Sequence, residues 1–90
     1  MYYVYVLLSL KDRELYIGYS TDVYERFEWH KSGRVTATTN RRPLELIYFE
    51  SYLNEEEAKR REKYLKGGNG RDQLKKQLDI TLKKVGYKHL

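Results

Sequence analysis

Four short groups of residues carry side chains suited to chemistry: Tyr3-Val4-Tyr5, Tyr16-Ile17-Gly18, Arg26 with His30, and Glu62. A phenol can orient or deprotonate water, although its free pKa of about 10 is too high for a good base unless a cation lowers it. A guanidinium grips a phosphate through two parallel hydrogen bonds and steadies the charge that grows on it. An imidazole four residues further along a helix shares that face and can donate a hydrogen bond or relay a proton. A carboxylate on an inward stripe must be paired or bind a cation, and magnesium suits a site with one or two carboxylates because it keeps several waters. Together these groups suit the hydrolysis of a phosphate ester. Each also has a plainer role. Most of the ten tyrosines must simply pack. Arg26 can pair with Asp22, His30 can pack or cap, and Glu62 can pair with Lys59, Lys66 or a core tyrosine.

The balance of the chain fits an anionic partner. Eighteen Lys and Arg against thirteen Asp and Glu give a net charge of +5 over 90 residues, which suits DNA or RNA. Cysteine is absent, which excludes disulfides and thiolate metal sites. The opening Met-Tyr-Tyr-Val-Tyr-Val-Leu-Leu lacks the basic stretch and small-residue cleavage site of a leader. No apolar run approaches the roughly 20 residues of a membrane span. The expectation is a cytoplasmic monomer with no membrane partner.

The elements that must position these side chains can be read from the pattern. Tyr2 to Ser9 and Leu15 to Ser20 are β-branched and aromatic runs, expected to form an antiparallel hairpin. With a turn near Leu10-Lys11, Tyr5 would lie opposite Tyr16, and their hydroxyls could converge. Gly18 within a strand implies a close approach or a bulge, so its role is structural. Thr21 or Asp22 can cap a helix whose inner face carries Val23, Phe27 and His30. Arg34 to Arg42 reads as a basic loop. Leu44 to Tyr52 is a third strand, with Leu44, Leu46 and Tyr48 in one row and Glu45, Ile47 and Phe49 in the other. Asn54 and Glu57 open a helix to about Lys66 with Ala58, Arg61, Glu62 and Leu65 along one side. Gly67-Gly68-Asn69-Gly70 breaks it, and Asp72 to Lys84 forms a last helix through Leu74, Leu78 and Leu82. The order is ββαβαα: one α+β domain over 1–84, a three-stranded antiparallel sheet flanked by helices, with a frayed tail at 85–90.

Tyr3-Val4-Tyr5, then Tyr16-Ile17-Gly18, then Arg26, His30 and Glu62 resemble the GIY-YIG nuclease superfamily. Tyr-Val stands in place of Gly-Ile in the first motif, whose final tyrosine, Tyr5, is kept. The stretch from Tyr16 to Gly33, Arg42-Pro43-Leu44-Glu45-Leu46-Ile47-Tyr48 and Glu57-Ala58-Lys59-Arg60-Arg61-Glu62 are similar to its small single-domain bacterial branch. The resemblance implies a metal-dependent DNA endonuclease or DNA-repair-type nuclease that hydrolyses a phosphodiester by a one-metal mechanism. Glu62 would hold Mg2+ (or Mn2+), Tyr5 or Tyr16 would orient or deprotonate the attacking water, and Arg26 would hold the scissile phosphate. His30 takes the position of a second catalytic polar residue. Two places depart: Tyr19 stands where several members carry lysine, and Leu74 where many carry asparagine. Asn69 does not match the latter. For DNA contact the candidates are Arg34, Arg41 and Arg42 in the basic loop, with Lys66 and Arg71 beside the glycine-rich break. The alternative is a non-catalytic nucleic-acid-binding module on the same fold, and a third option is a protein-interaction domain that docks through its aromatic surface.

Overall fold

The computed structural model describes residues 1–86. Its centre is β1 (Tyr2–Ser9), in which every residue from Val4 to Ser9 is buried. A strand covered on both faces reads as a continuous apolar run, as this one does. β2 (Leu15–Ser20) and β3 (Leu44–Tyr52) flank it, both antiparallel, in the order β2-β1-β3. Helix α1 (Val23–Lys31) packs on one face of the sheet, and α3 (Glu55–Lys66), α4 (Gly68–Gln77) and α5 (Asp79–Lys84) on the other. The expected three-stranded antiparallel architecture and its order are therefore present. To it the structure adds α2 (Thr36–Thr39), one turn inside the segment expected as a loop, and a division of the last helix at Leu78.

The alternation in β1 creates two cores. Val4, Val6 and Leu8 point to Ala58, Leu65, Leu74, Leu78 and Leu82 on the three-helix side. Tyr5 and Leu7 point to Val23 and Leu44 on the α1 side, where Tyr3, Tyr16 and Phe27 are half-buried. Val85 still packs on the larger core, whereas residues 87–90 of the expected frayed tail lie outside the described residues. No helix among the described residues is long and apolar enough to cross a membrane.

Three expectations about register and boundaries are corrected. Tyr5 faces Gly18, and Tyr16 faces Leu7. The turn is centred one residue beyond Leu10-Lys11, which moves every partner on β2 by two. Ser9 fixes that turn: its Oγ accepts the Lys11 and Asp12 N–H groups at 3.2 and 3.1 Å. In β3, Tyr48 does not share a row with Leu44 and Leu46. Ile47 is an extra residue opposite the Val6–Leu7 step, and this bulge turns Tyr48, Glu50 and Tyr52 towards α3. Finally, the helix expected from Asp72 begins four residues earlier, so the break narrows to one residue. Gly67 alone makes the corner, and Gly68 to Gly70 form the first turn of α4. A Cβ on Gly70 would overlap the Tyr64 carbonyl oxygen, so glycine lets the two helix backbones meet.

The bulge also builds a network absent from the sequence reading. The Glu50 carboxylate, 16% exposed, accepts Tyr48 Oη at 2.7 Å, Tyr52 Oη at 2.6 Å and Arg61 Nε at 2.7 Å. Gln77 on α4 donates to Tyr48 Oη at 3.0 Å. Burial pushes the Glu50 carboxyl up, but the hydrogen bonds from Tyr52, Tyr48 and Arg61 outweigh it and hold it below the usual carboxylate range. Its stabilisation is complete above the ordinary carboxylate pKa and is lost as pH falls through the lowered folded value. We expect Glu50→Gln to destabilise the fold by about 2 kcal/mol at neutral pH and to flatten the acid limb. Urea midpoints from pH 7 to 3 test this; equal acid losses in variant and wild type would contradict it.

Candidate active site

Tyr5 crosses β2 at Gly18. A Cβ at residue 18 would overlap the Tyr5 Cζ and hydroxyl oxygen, so only glycine lets the ring pass. That passage carries the Tyr5 hydroxyl to α1, where it meets His30 Nε2 at 2.7 Å. Asp22 starts α1 by accepting the Glu25 N–H at 3.0 Å, which settles the choice between Thr21 and Asp22 as cap. It makes no ion pair with Arg26 among the described residues. His30 is fully buried in the last turn of α1, and its Nδ1 lies 2.6 Å from Thr38 Oγ1 on α2. Tyr16 completes the group, its ring centroid 5.2 Å from His30 and 6.4 Å from Tyr5.

The electrostatics divide the roles. Burial lifts the Tyr5 hydroxyl well above the ordinary phenol range, and the neighbouring Tyr16 and Glu62 add to this, while Arg26 pulls the other way. Tyr5 is therefore protonated at neutral pH. Burial, with the Arg26 charge beside it, lowers His30 to about 4. A neutral imidazole has one donor and one acceptor nitrogen, so Tyr5 and Thr38 must play opposite parts. Thr38 Oγ1 also reaches the Val35 carbonyl at 3.5 Å. If it donates there, it accepts from Nδ1–H, and Nε2 accepts the Tyr5 proton. Of the two phenols, Tyr5 is 1% exposed and Tyr16 is half-buried, so Tyr16 is the one that solvent reaches.

A buried histidine held neutral has a cost in acid. His30 binds its proton more weakly folded than unfolded, so stability is complete above pH 6.5 and falls as pH drops towards 4. At about 1.4 kcal/mol per unit, the loss is about 3 kcal/mol. His30→Gln removes this component, and denaturant titrations of both proteins across that window measure it. A wild type equally stable at pH 7 and pH 5 would contradict the assignment.

Glu62 lies on α3, close enough to raise the phenols of both Tyr5 and Tyr19. Its side chain is 22% exposed and meets Lys66 Nζ at 3.0 Å, one of the partners expected from the sequence. Among the described residues no three His, Cys, Asp or Glu side chains gather to chelate a metal. A lone carboxylate that already draws a cation, with that lysine 52% exposed and free to swing away, fits a hard divalent ion that keeps most of its waters. Tyr19, at one of the departing positions, donates to Glu55 Oε2 at 2.7 Å, and Lys59 Nζ sits 5.3 Å from its ring centroid. Leu74, at the other, is fully buried in the core.

The basic candidates serve different ends. Arg41 is committed to Asp12, at 2.7 Å, and holds that carboxyl down at about 2. It braces the hairpin turn, a role the sequence reading did not assign. Arg42 donates to the Thr39 and Lys31 carbonyls at 2.9 and 3.5 Å, closing the end of α1. Arg71 reaches the Leu15 carbonyl at 3.5 Å. Lys66 pairs with Glu62. Arg34 instead lies over Trp29, with Cζ 5.8 Å from the ring centroid, and Arg26 over the same ring at 5.2 Å. Sequence reasoning missed Trp29 and Thr38. Trp29 had a signal, since three residues from Arg26 on a helix is one flank. Thr38 had none, lying in a segment that looked irregular.

A profile of the GIY-YIG catalytic domain matches residues 1–77. The chain is 39% identical to a UPF0213 protein of Staphylococcus haemolyticus over 82% of its own length and 90% of the relative's. It is 40% identical to one of Clostridium perfringens over 73% and 71% of the two chains, and 35% identical to one of Pediococcus acidilactici over 82% and 78%. No solved structure matches it significantly. The matched span contains Tyr5, Tyr16, Arg26, His30 and Glu62, and the chain belongs to the GIY-YIG family of nucleases.

Proposed function

We propose that this chain is a metal-dependent DNA endonuclease, of a DNA-repair type, that hydrolyses a phosphodiester with one divalent ion held at Glu62. The observation that carries this is the contact of both Tyr5 and Tyr16 with His30, with Arg26 and the Glu62 carboxylate near enough to act on the Tyr5 phenol. Arg26 binds the scissile phosphate and stabilises the charge that develops on it. Tyr16, the solvent-reachable phenol, orients the attacking water. Tyr5 backs it as a protonated donor whose hydroxyl is held by neutral His30. The Tyr5–His30 pair stays neutral and fixed, so its part is to hold the hydroxyl of Tyr5 in place beside Tyr16. Mg2+ or Mn2+ at Glu62 would supply positive charge to the phosphate and the leaving oxygen.

The test is cleavage of nicked, branched and duplex DNA in Mg2+, Mn2+ and EDTA by wild type, Glu62→Ala and Arg26→Ala. Metal-dependent cutting lost in both variants supports the proposal, and equal cutting by all three refutes it. A second reading follows from the Glu62–Lys66 pair. If Lys66 holds that carboxylate permanently, the chain binds nucleic acid without cutting, which would show as salt-sensitive binding and no cleavage in either metal.

A further inference from the structure

We infer that Trp29 is a stacking platform for one unpaired nucleobase, with Arg26 and Arg34 gripping the phosphates on either side of it. This deepens the nuclease reading by naming a substrate class: DNA with a single-stranded or extruded nucleotide beside the cut. Three observations carry it. First, two guanidinium groups approach one indole ring, at 5.2 and 5.8 Å. Neither makes an ion pair among the described residues, although Arg26 also lies within hydrogen-bond reach of the Tyr5 hydroxyl. Second, Arg34 is anchored there by its backbone, whose N–H donates to the Trp29 carbonyl at 2.9 Å. Third, Trp29 and Arg34 line a surface depression of about 330 Å3. The depression is shallow and open, which suits a flat base laid on the ring rather than an enclosed ligand.

The physical case rests on charge. Two like charges around one ring repel, and the ring's negative face offsets only part of that. An incoming phosphate on each guanidinium removes the repulsion, and a base laid on the indole completes the contact. Stacking on an aromatic side chain is worth about 1–3 kcal/mol per base and tolerates any sequence. A base inside a duplex is covered on both faces and cannot lie on Trp29. Because Arg26 is also the proposed phosphate ligand of the active site, the platform lies next to the reacting ester.

Trp29 is the single tryptophan of the chain, so its fluorescence reports on the platform directly. The experiment titrates the full chain in EDTA, where no cutting occurs, with oligothymidylate, a blunt duplex and heparin. Labelled-oligonucleotide anisotropy measures affinity in parallel. Oligothymidylate is expected to quench the emission strongly, while the duplex and heparin bind with little quenching. Trp29→Leu is expected to weaken oligothymidylate binding by about 10-fold or more, leaving duplex binding within about 2-fold, with Trp29→Phe restoring most of the loss. Arg34→Gln should weaken oligothymidylate binding too. Absence of single-strand binding, binding without quenching, or equal loss for single strand and duplex in Trp29→Leu would overturn the inference. Because nothing here depends on cleavage, a chain that stacks bases but never cuts sinks only the nuclease reading, and one that cuts without quenching sinks only this one.

Discussion

Replacing Glu62 with Gln should lower metal-dependent DNA cleavage by on the order of a hundred- to a thousand-fold while leaving the fold intact. The substitution keeps shape and removes charge. A neutral amide is a poor ligand for a hard cation, and no group of three or more potential ligands gathers among the described residues to replace it. The fold should barely respond, because the Glu62–Lys66 pair has a lysine half in solvent, and such pairs contribute about 0–1 kcal/mol. Lys66→Ala should act in the opposite direction. Lys66 and a divalent ion compete for the same carboxylate, so removing the ammonium should lower the metal concentration that supports half-maximal cutting. Cleavage against Mg2+ concentration for the three proteins, with thermal unfolding as control, measures both effects. Wild-type cutting by Glu62→Gln would remove Glu62 from the site.

Much of this arrangement was legible before any coordinates. The alternation of Tyr3 and Tyr5 with Val4 and Val6 assigns them to opposite faces of β1, and the two cores follow it. Val23 and His30 are buried as their helical spacing requires, with Phe27 half-buried beside them, and so are Ala58 and Leu65. Periodicity is local and survives tertiary packing. What was not legible depends on single residues that shift a register. Ser9 moves the hairpin turn by one residue, and Tyr5 meets Gly18 instead of Tyr16. Ile47 bulges, and Tyr48 changes face. A period-2 pattern cannot reveal such a slip, because each strand remains internally consistent on both sides of it. The Glu50 network is the consequence. The spacing Tyr48-x-Glu50-x-Tyr52 did place a carboxylate between two phenols, but their direction depended on the bulge. The basic residues show the same limit. Charge and position suggested five phosphate ligands, yet Arg41 and Arg42 are engaged by partners 29 and 3 residues away in the chain, Asp12 and Thr39.

The register also makes Gly18 the most sensitive small residue of the site, and Gly18→Ala should cost about 3 kcal/mol, at the upper end of what overpacking usually costs. Backbone strain is not the reason, since Gly18 is not among the residues with positive φ. The reason is the Tyr5 ring, which occupies the space a methyl group would need and has nowhere to go. Its hydroxyl is held by His30 at 2.7 Å, and the ring itself is 1% exposed. Pushing it aside would break that bond and disturb Tyr16, whose ring lies 6.4 Å away, so cleavage should fall by about 10-fold or more even in protein that remains folded. A double-mutant cycle separates this cause from a generic intolerance of alanine. In a Tyr5→Leu background the space is vacant, and Gly18→Ala should then cost under about 1 kcal/mol, a coupling of about 2 kcal/mol. Activity should not return in the double variant, because the Tyr5 hydroxyl is gone. Equal costs of Gly18→Ala in both backgrounds would mean that the passage of Tyr5 across β2 is not what the glycine is for.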